Sequence, residues 1–331
     1  MSDLQSQGPL PSERDALDVS VVIVTWNSSP WIGGCLESVS EALGACSGEI
    51  IVVDNASEDD STVRSQGTSF EVSLIANREN RGFAAAVNQG VAATRGRFLM
   101  LLNPDCRPMP RSIEILVRIL ETDERVAAAV PVLVDRAGSP QTEFQFRRLP
   151  TLSSIAAETL LIHRVWPRNP ATMHNRYSGL DLAKRVLVEQ PAAAALLLRR
   201  SVFEELGGMD EAFHPAWFED VDLCARIARA GRTIVVDPAA RAVHEGGASL
   251  DAMGYPGFVR VWYRNLLVYV RKWFSPGHAE AVRWLVIAGM IERIGATLVA
   301  GSPCGRREMI RTYSSVIEEA FRRWPETPLS S

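Results

Sequence analysis

Cysteine is sparse in this chain. Its five copies, Cys35, Cys46, Cys106, Cys224 and Cys304, are scattered over 331 residues. No CxxC pair occurs, which argues against a thiolate zinc site, and the odd number argues against a disulfide framework. Long apolar runs are also missing. The longest stretch, WLVIAGMIERIGATLVAG from Trp284, is broken near its middle by Glu292 and Arg293 and makes a poor membrane-spanning helix. The opening MSDLQSQGPLPSERDALD has neither a basic n-region nor an apolar h-region, so residues 1–18 read as a disordered leader and not as a secretory signal. The expected location is the cytoplasm, free or on the inner face of the membrane. No GxGxxG follows the first strand and no GxxxxGK[ST] occurs, which argues against dinucleotide-binding and P-loop chemistry. The formal net charge is only −4; the stretch from Pro256 onward holds 11 Lys+Arg against 6 Asp+Glu. That modest basic surplus comes with no recognition motif, so no nucleic-acid partner is expected.

What is present is a regular alternation of strand and helix patterns. VSVVIVTW (19–26), EIIVVD (49–54), VSLIA (72–76), RFLMLL (97–102) and VAAAVPVLV (126–134) are apolar, largely β-branched runs of the kind buried on both faces of a sheet. Helical patterns separate them. Ser29-Pro30 reads as N-cap and first residue of one helix, Ser57 with Asp60 as a capping box for the next, and Gly96 as the close of an Ala-rich helix over 82–96. The expectation is an α/β fold with a mostly parallel, doubly wound sheet. Residues 138–188 are irregular and read as an acceptor-side loop region. Order resumes with PAAAALLLRR (191–200), a helix over about 219–230 and short strands TIVVD and RAVH. From Tyr255 the pattern is helical.

The polar residues gather where such a fold binds ligands, beyond the carboxyl ends of its strands. The first strand ends in Thr25-Trp26-Asn27, the second in Asp54-Asn55, the third leads to Asn80-Arg81-Gly82, and the fourth to Asn103-Pro104-Asp105. Any one of these is an ordinary turn former; four on one rim suggest a site. Asp105 is a hard oxygen ligand suited to Mg²⁺ or Mn²⁺, ions that take one or two carboxylates plus substrate phosphates. Pro104 fixes the turn that aims it outward. A second cluster, Glu219, Asp220 and Asp222, opens a helix, where negative charge is favoured. The aromatic pair Trp217-Phe218 stands just before it. Carboxylates beside ring faces gain basicity by desolvation, which suits a general base. His244 ends the last short strand. Taken alone, such a histidine is more often structural than a ligand.

In order and spacing, VSVVIVTWN, IIVVDNAS, NRGFAAAVNQG, LLNPD, GGMDEAFHPAWFEDVDLCARIARAG and VHEGGAS resemble the family 2 inverting glycosyltransferases, in particular the bacterial rhamnosyltransferase-like branch, over about residues 19–250. The resemblance implies the nucleotide-diphospho-sugar transferase (glycosyltransferase A-type) fold, with a nucleotide-sugar half (19–135), an acceptor-side half (136–250) and a helical extension (251–331). It also implies roles. Thr25, Asn27 and Asp54 would hold base and ribose, and Asn80, Gly82 and Asn88 fall in the donor segment. Asn103-Pro104-Asp105 occupies the place of the Asp-x-Asp motif, leaving Asp105 as the metal ligand. Asp220 would be the base with Glu219 beside it, and His244 would ligate the metal or touch the diphosphate. Trp217 and Phe218 would face the acceptor. One departure is Pro191-Ala192, where relatives often carry Gly-Ala before the apolar strand.

The implied reaction moves a sugar from a nucleoside-diphosphate donor to a hydroxyl of a glycan or polyprenyl-linked acceptor in cell-envelope polysaccharide synthesis. dTDP-rhamnose is the first donor suggested. Two other functions stand against it, a non-catalytic nucleotide-sugar-binding scaffold and a nucleotidyltransferase. The second needs a basic, Gly-rich loop after the first strand, where this chain has WNSSPWIGG. The basic aromatic stretch WYRNLLVYVRKWF (262–274) has two readings, a helix packed on the catalytic unit or a partner subunit, and a helix lying in a lipid interface. A homo-oligomer is left open.

Overall fold

The computed structural model describes residues 17–66, 71–247, 252–302 and 304–322; the greater part of the proposed leader lies outside them. The strands are β1 (Val19–Thr25), β2 (Gly48–Asp54), β3 (Val72–Ala76), β4 (Phe98–Leu102), β5 (Cys106–Pro108), β6 (Val126–Val134), β7 (Phe146–Arg147), β8 (Val186–Val188), β9 (Gln190–Pro191), β10 (Ala195–Arg199) and β11 (Thr233–His244). The helices of the first half are α1 (Ile32–Leu43), α2 (Ser61–Gln66), α3 (Phe83–Ala92) and α4 (Ser112–Thr122). The irregular region holds four short ones, α5 (Thr142–Gln145), α6 (Leu152–Thr159), α7 (Ile162–Val165) and α8 (Pro170–Asn175). There follow α9 (Arg200–Glu205), α10 (Glu219–Arg229), α11 (Tyr255–Trp273), α12 (Pro276–Ala300) and α13 (Arg306–Arg322).

The main sheet runs β3-β2-β1-β4-β10-β6-β11-β5, with β8 on β11. Its parallel character lies in β3-β2-β1-β4 and in β6-β11. β10 enters antiparallel between β4 and β6, and β5 and β8 both run antiparallel to β11, so the sheet is mixed. TIVVD and RAVH form one strand, β11, interrupted by an irregularity between Asp237 and Arg241.

Strand periodicity sorts the core. Val19, Val21 and Ile23 pack with α1 and α4 on one face, while Val22 and Val24 pack with α3 and α10 on the other. All seven residues of β1 are buried, and each large aliphatic among them contributes about 1.5–3 kcal/mol. This double coverage is why the strands read as unbroken apolar runs.

Several local expectations are corrected. Helix α1 starts at Ile32 with Trp31 at its cap, and no side chain caps it; the backbone carbonyl of Ser28 closes the turn by accepting from Trp31 and Ile32. Ser57 does not cap α2. Its hydroxyl accepts from the Asn27 amide, and Asp59 accepts from Ser61 at the helix start. Gly96 does not close α3, which ends at Ala92. It lies against β1, where a Cβ would come 2.5 Å from the Ser20 nitrogen.

The stretch 262–274 is a packing helix. Tyr263, Leu266, Leu267, Tyr269 and Val270 of α11 are buried in a third core with α12 and α13. Exposed apolar side chains occur instead on α12, at Trp284, Ile291 and Leu298. Their spacing of seven puts them on one stripe. No described helix is long and apolar enough to cross a membrane.

Candidate active site

Asn103-Pro104-Asp105 is a turn between β4 and β5: the Cys106 amide donates to the Asn103 carbonyl at 3.0 Å, with Pro104 in the position where its fixed φ is favoured. The sequence reading missed β5, and with it the direction of Asp105. The side chain is not aimed outward into solvent. β5 pairs with the end of β11, placing Cys106 opposite His244, and Asp105 is 5% exposed with Oδ2 3.7 Å from His244 Nε2.

The tautomer of His244 follows from its partners. Gln141 Nε2 donates to the His244 carbonyl at 2.8 Å, so the amide oxygen of Gln141 faces His244 Nδ1 at 2.9 Å. That oxygen only accepts, so Nδ1 carries the proton and Nε2 turns its lone pair toward Asp105. Phe144 stacks on the imidazole, centroids 4.9 Å apart. Burial holds His244 below its ordinary pKa, against the pull of Asp105, and burial likewise raises Asp105. A neutral imidazole and a carboxylate facing one another form a donor pair that fits a divalent ion completed by phosphate and water oxygens. No described cluster offers three His, Cys, Asp or Glu groups for a metal. Gln141 and Phe144 lie in the region that sequence had left irregular; only a hydrogen-bond partner for His244 could have signalled them.

At the other end of the rim, Thr25 and Asp54 are register partners on β1 and β2. Both are buried, and each leaves one oxygen unpartnered, Thr25 Oγ1 and Asp54 Oδ1. Buried polar atoms without partners are costly and call for an explanation. Asn27 sits in the left-handed region (φ 51°), and its Oδ1 accepts from the Glu58 amide. Asn80 Oδ1 accepts from Asn55 and from the Gly82 amide. Asn55, overlooked as a site residue, is the hub of that loop, also accepting from the Arg81 amide and Asn77.

Asn88 has protein partners: its amide bonds Met209 and Glu211, bracing the turn before the loop over 212–218. Gly82 has a different task from ligand contact. With φ 84°, a Cβ would come 2.6 Å from His214 Nδ1 and 3.2 Å from the Pro215 carbonyl, which accepts from the Phe83 amide.

A cavity of about 80 Å³ lies on the rim, its wall including Trp26, Asn55, Asn80, Asn103, Asp105 and Trp217. It is smaller than a typical ligand pocket. A larger cavity, about 640 Å³, opens on the flank between β8 and α10 and contains none of the candidate carboxylates.

The three acids of α10 have three fates. Glu219 is buried with Oε2 unpartnered, and burial together with neighbouring Asp220 drives its pKa well above the ordinary range. Asp220 is half-buried, accepts from the Val221 amide at 2.8 Å and the Ala193 amide at 3.4 Å, and is raised by desolvation. Asp222 is fully buried and bound by Arg226, Lys272 and Trp273. Trp217 and Phe218 both adopt left-handed backbone (φ 69° and 74°), at a cost of about 1–3 kcal/mol each. The segment 193–194 links the acid pair to the rim: Ala193 donates to Asp220, and the Ala194 carbonyl accepts from the Asn103 amide.

This mixed sheet with helices on both faces and a helical C-terminal part is the glycosyltransferase A-type nucleotide-sugar transferase fold. It is similar to the mannosyltransferase PcManGT from Pyrobaculum calidifontis, solved with GDP-Man and Mn²⁺ (TM-score 0.55, 17% identity, 97% of this chain and 92% of that one). It is also similar to GalNAc-T7, solved with UDP, GalNAc and Mn²⁺ (TM-score 0.52, 16% identity, 94% and 57%).

The chain matches glycosyl transferase family 2 over residues 20–207, more than half its length, and belongs to that family. It is 30% identical over 235 residues to the N-acetylglucosaminyl-diphospho-decaprenol L-rhamnosyltransferase of Mycobacterium tuberculosis, covering 68% of this chain and 75% of the relative. To the pre-mycofactocin glycosyltransferase of the same species it is 28% identical over 247 residues, 71% of this chain and 44% of the relative. The protein is a glycosyltransferase of the rhamnosyltransferase-like branch.

Proposed function

We propose that this enzyme is a metal-dependent, inverting glycosyltransferase that moves a sugar, rhamnose from dTDP-rhamnose in the first instance, to a hydroxyl of a lipid-linked glycan in cell-envelope polysaccharide synthesis. The observation that carries the reading is the link through 193–194, which ties the Asp220 carboxylate to the strand end that leads to Asp105. The rhamnosyltransferase relative supports the donor and the lipid-linked acceptor.

In this reading Thr25 and Asp54 take hydrogen bonds from base and ribose through their unpartnered oxygens. Asn80, Asn103 and Trp217 line the floor under the sugar diphosphate. Asp105 and His244 would hold Mg²⁺ or Mn²⁺, which would supply positive charge to the departing diphosphate. Asp220 takes the proton of the acceptor hydroxyl as that oxygen bonds to the anomeric carbon. The carbon–oxygen bond to the diphosphate breaks on the opposite face, so configuration inverts. Raised basicity suits Asp220 to this work, and such assistance is worth about 10²–10⁴ in rate. Burial pushes Glu219 well above the ordinary carboxylate range. Trp217 and Phe218 shape the acceptor side. Contact with a membrane, if the acceptor lies there, falls to the exposed stripe of α12 and not to α11.

The test is thermal unfolding with dTDP, UDP and GDP, each with and without Mn²⁺. One nucleotide should raise Tm only when the metal is present. It is followed by turnover of the matching sugar donor with a synthetic N-acetylglucosaminyl-diphospho-alkyl acceptor, reading the anomeric configuration by NMR. Nucleotide binding indifferent to Mn²⁺, or a product of retained configuration, would overturn the mechanism.

A further inference from the structure

The acids of α10 are aimed by the two residues before them. The Phe218 carbonyl accepts from the Asp222 amide at 2.9 Å and so begins the helix, and both Trp217 and Phe218 are left-handed without being glycine. Such a turn persists only where its surroundings over-determine it.

Those surroundings are one face of α11. Asn265 Nδ2 donates to the Ala216 carbonyl at 2.8 Å and to the Trp217 carbonyl at 3.0 Å. Phe258 meets the Trp217 ring edge-on at 4.9 Å, and Trp262 and Tyr269 meet the Phe218 ring at 4.9 and 5.7 Å. Spacings of four, three and four keep the contacting residues on one side of the helix. Further along, Lys272 and Trp273 grip Asp222, each at 2.8 Å. Glu219 and Asp220 therefore lie between two points that α11 holds.

Asn265 is the telling residue. It is completely buried, yet its Oδ1 has no partner. An apolar side chain there would strand no acceptor. The amide is explained by its two donated hydrogen bonds.

We propose that α11 is the template of the acceptor loop and that Asn265 is a positioning residue for the reaction, fixing the carbonyls of Ala216 and Trp217 so that the Glu219–Asp220 pair faces the acceptor. The catalytic consequence rests on Asp220 being the base; the structural one does not.

Asn265→Leu in the full chain tests both. Hydrogen exchange in the peptide spanning 212–222 should quicken about tenfold, with 71–110 unchanged. dTDP–Mn²⁺ titration should keep its affinity and a stoichiometry near one, which reports that the protein remains folded. Turnover should fall by about 10²-fold, the effect of a misplaced group near 1 Å. Unchanged exchange in 212–222 overturns the template. Faster exchange with unchanged turnover overturns the catalytic consequence, and a stoichiometry falling in step with turnover shows a merely structural loss. Should Asn265→Leu not fold, Asn265→Ala, which removes both donated hydrogen bonds without adding volume, carries the same readouts. Because the exchange readout needs no substrate, its failure is separate from any failure of the donor assignment.

Discussion

His244 Nε2 faces Asp105 Oδ2 at 3.7 Å because β5 folds back onto the end of β11. The relationship puts an imidazole lone pair opposite a carboxylate on the rim where the strand ends converge. It also makes Gln141 consequential, since that amide alone dictates which imidazole nitrogen is free. Gln141→Leu should weaken Mn²⁺ binding about 10–100-fold, and His244→Ala by at least as much. Calorimetric Mn²⁺ titration in the presence of nucleotide checks this. Wild-type affinity in Gln141→Leu would mean the tautomer is set elsewhere.

Asp220→Asn should bind donor normally and lose about 10²–10⁴ in kcat. The pH dependence gives a second handle. Burial raises both Glu219 and Asp220, so the base ionises above the usual carboxylate range. In the parent enzyme kcat/KM should climb with pH through a limb belonging to the pair. Asp220→Asn should lack it. The persistence of that limb in the variant would transfer the base role to another group.

The same burial has a stability consequence. Folded Glu219 holds its proton more tightly than the unfolded chain does, so its stabilising contribution is full below the ordinary glutamate pKa. It is lost as pH rises from there through the raised folded value. Glu219→Gln should flatten that decline, seen as a smaller pH slope in denaturant midpoints above pH 5.

Gly82→Ala should be far more damaging than glycine-to-alanine changes at open positions. The added methyl would meet the Pro215 carbonyl and His214 while φ stays in the left-handed region. The expected result is a folded protein whose acceptor loop is displaced, with kcat reduced about 10²-fold and donor affinity less affected. Unaltered kinetics would show that the loop can move aside.

Asp222→Ala should cost about 3 kcal/mol, since removing one member of a buried ion pair strands the others. Chemical denaturation measures it. A loss below about 1 kcal/mol would place Asp222 with ordinary surface pairs.

The runs of β1, β2, β4 and β6 were readable because strands covered on both faces are mostly apolar, while β3, only partly buried, was legible as a short apolar run. The rim residues were readable because polar groups must collect where such strands emerge. Asn88 shows the limit of that logic: it lies in a segment the resemblance assigned to the donor, yet its amide braces Met209, a partner that no local pattern announces. Asp222 shows the same from the other side. In sequence it is one of three first-turn acids, and its ties to Arg226, Lys272 and Trp273 distinguish it from its neighbours. Helix ends at Ser29 and Gly96 were misread because local backbone bonds close both turns: the Ser28 carbonyl accepts from Trp31 and Ile32, and the Gly90 carbonyl accepts from Ala93.

The order of residues alone determined the class of fold, the identity of the acids and the family, because hydrophobic periodicity and short motifs are local properties. Tertiary structure decided which of the acids are desolvated and which is a tie, and which nitrogen of His244 meets Gln141. Those are matters of desolvation and hydrogen-bond partners, and the partners come from segments far apart along the chain.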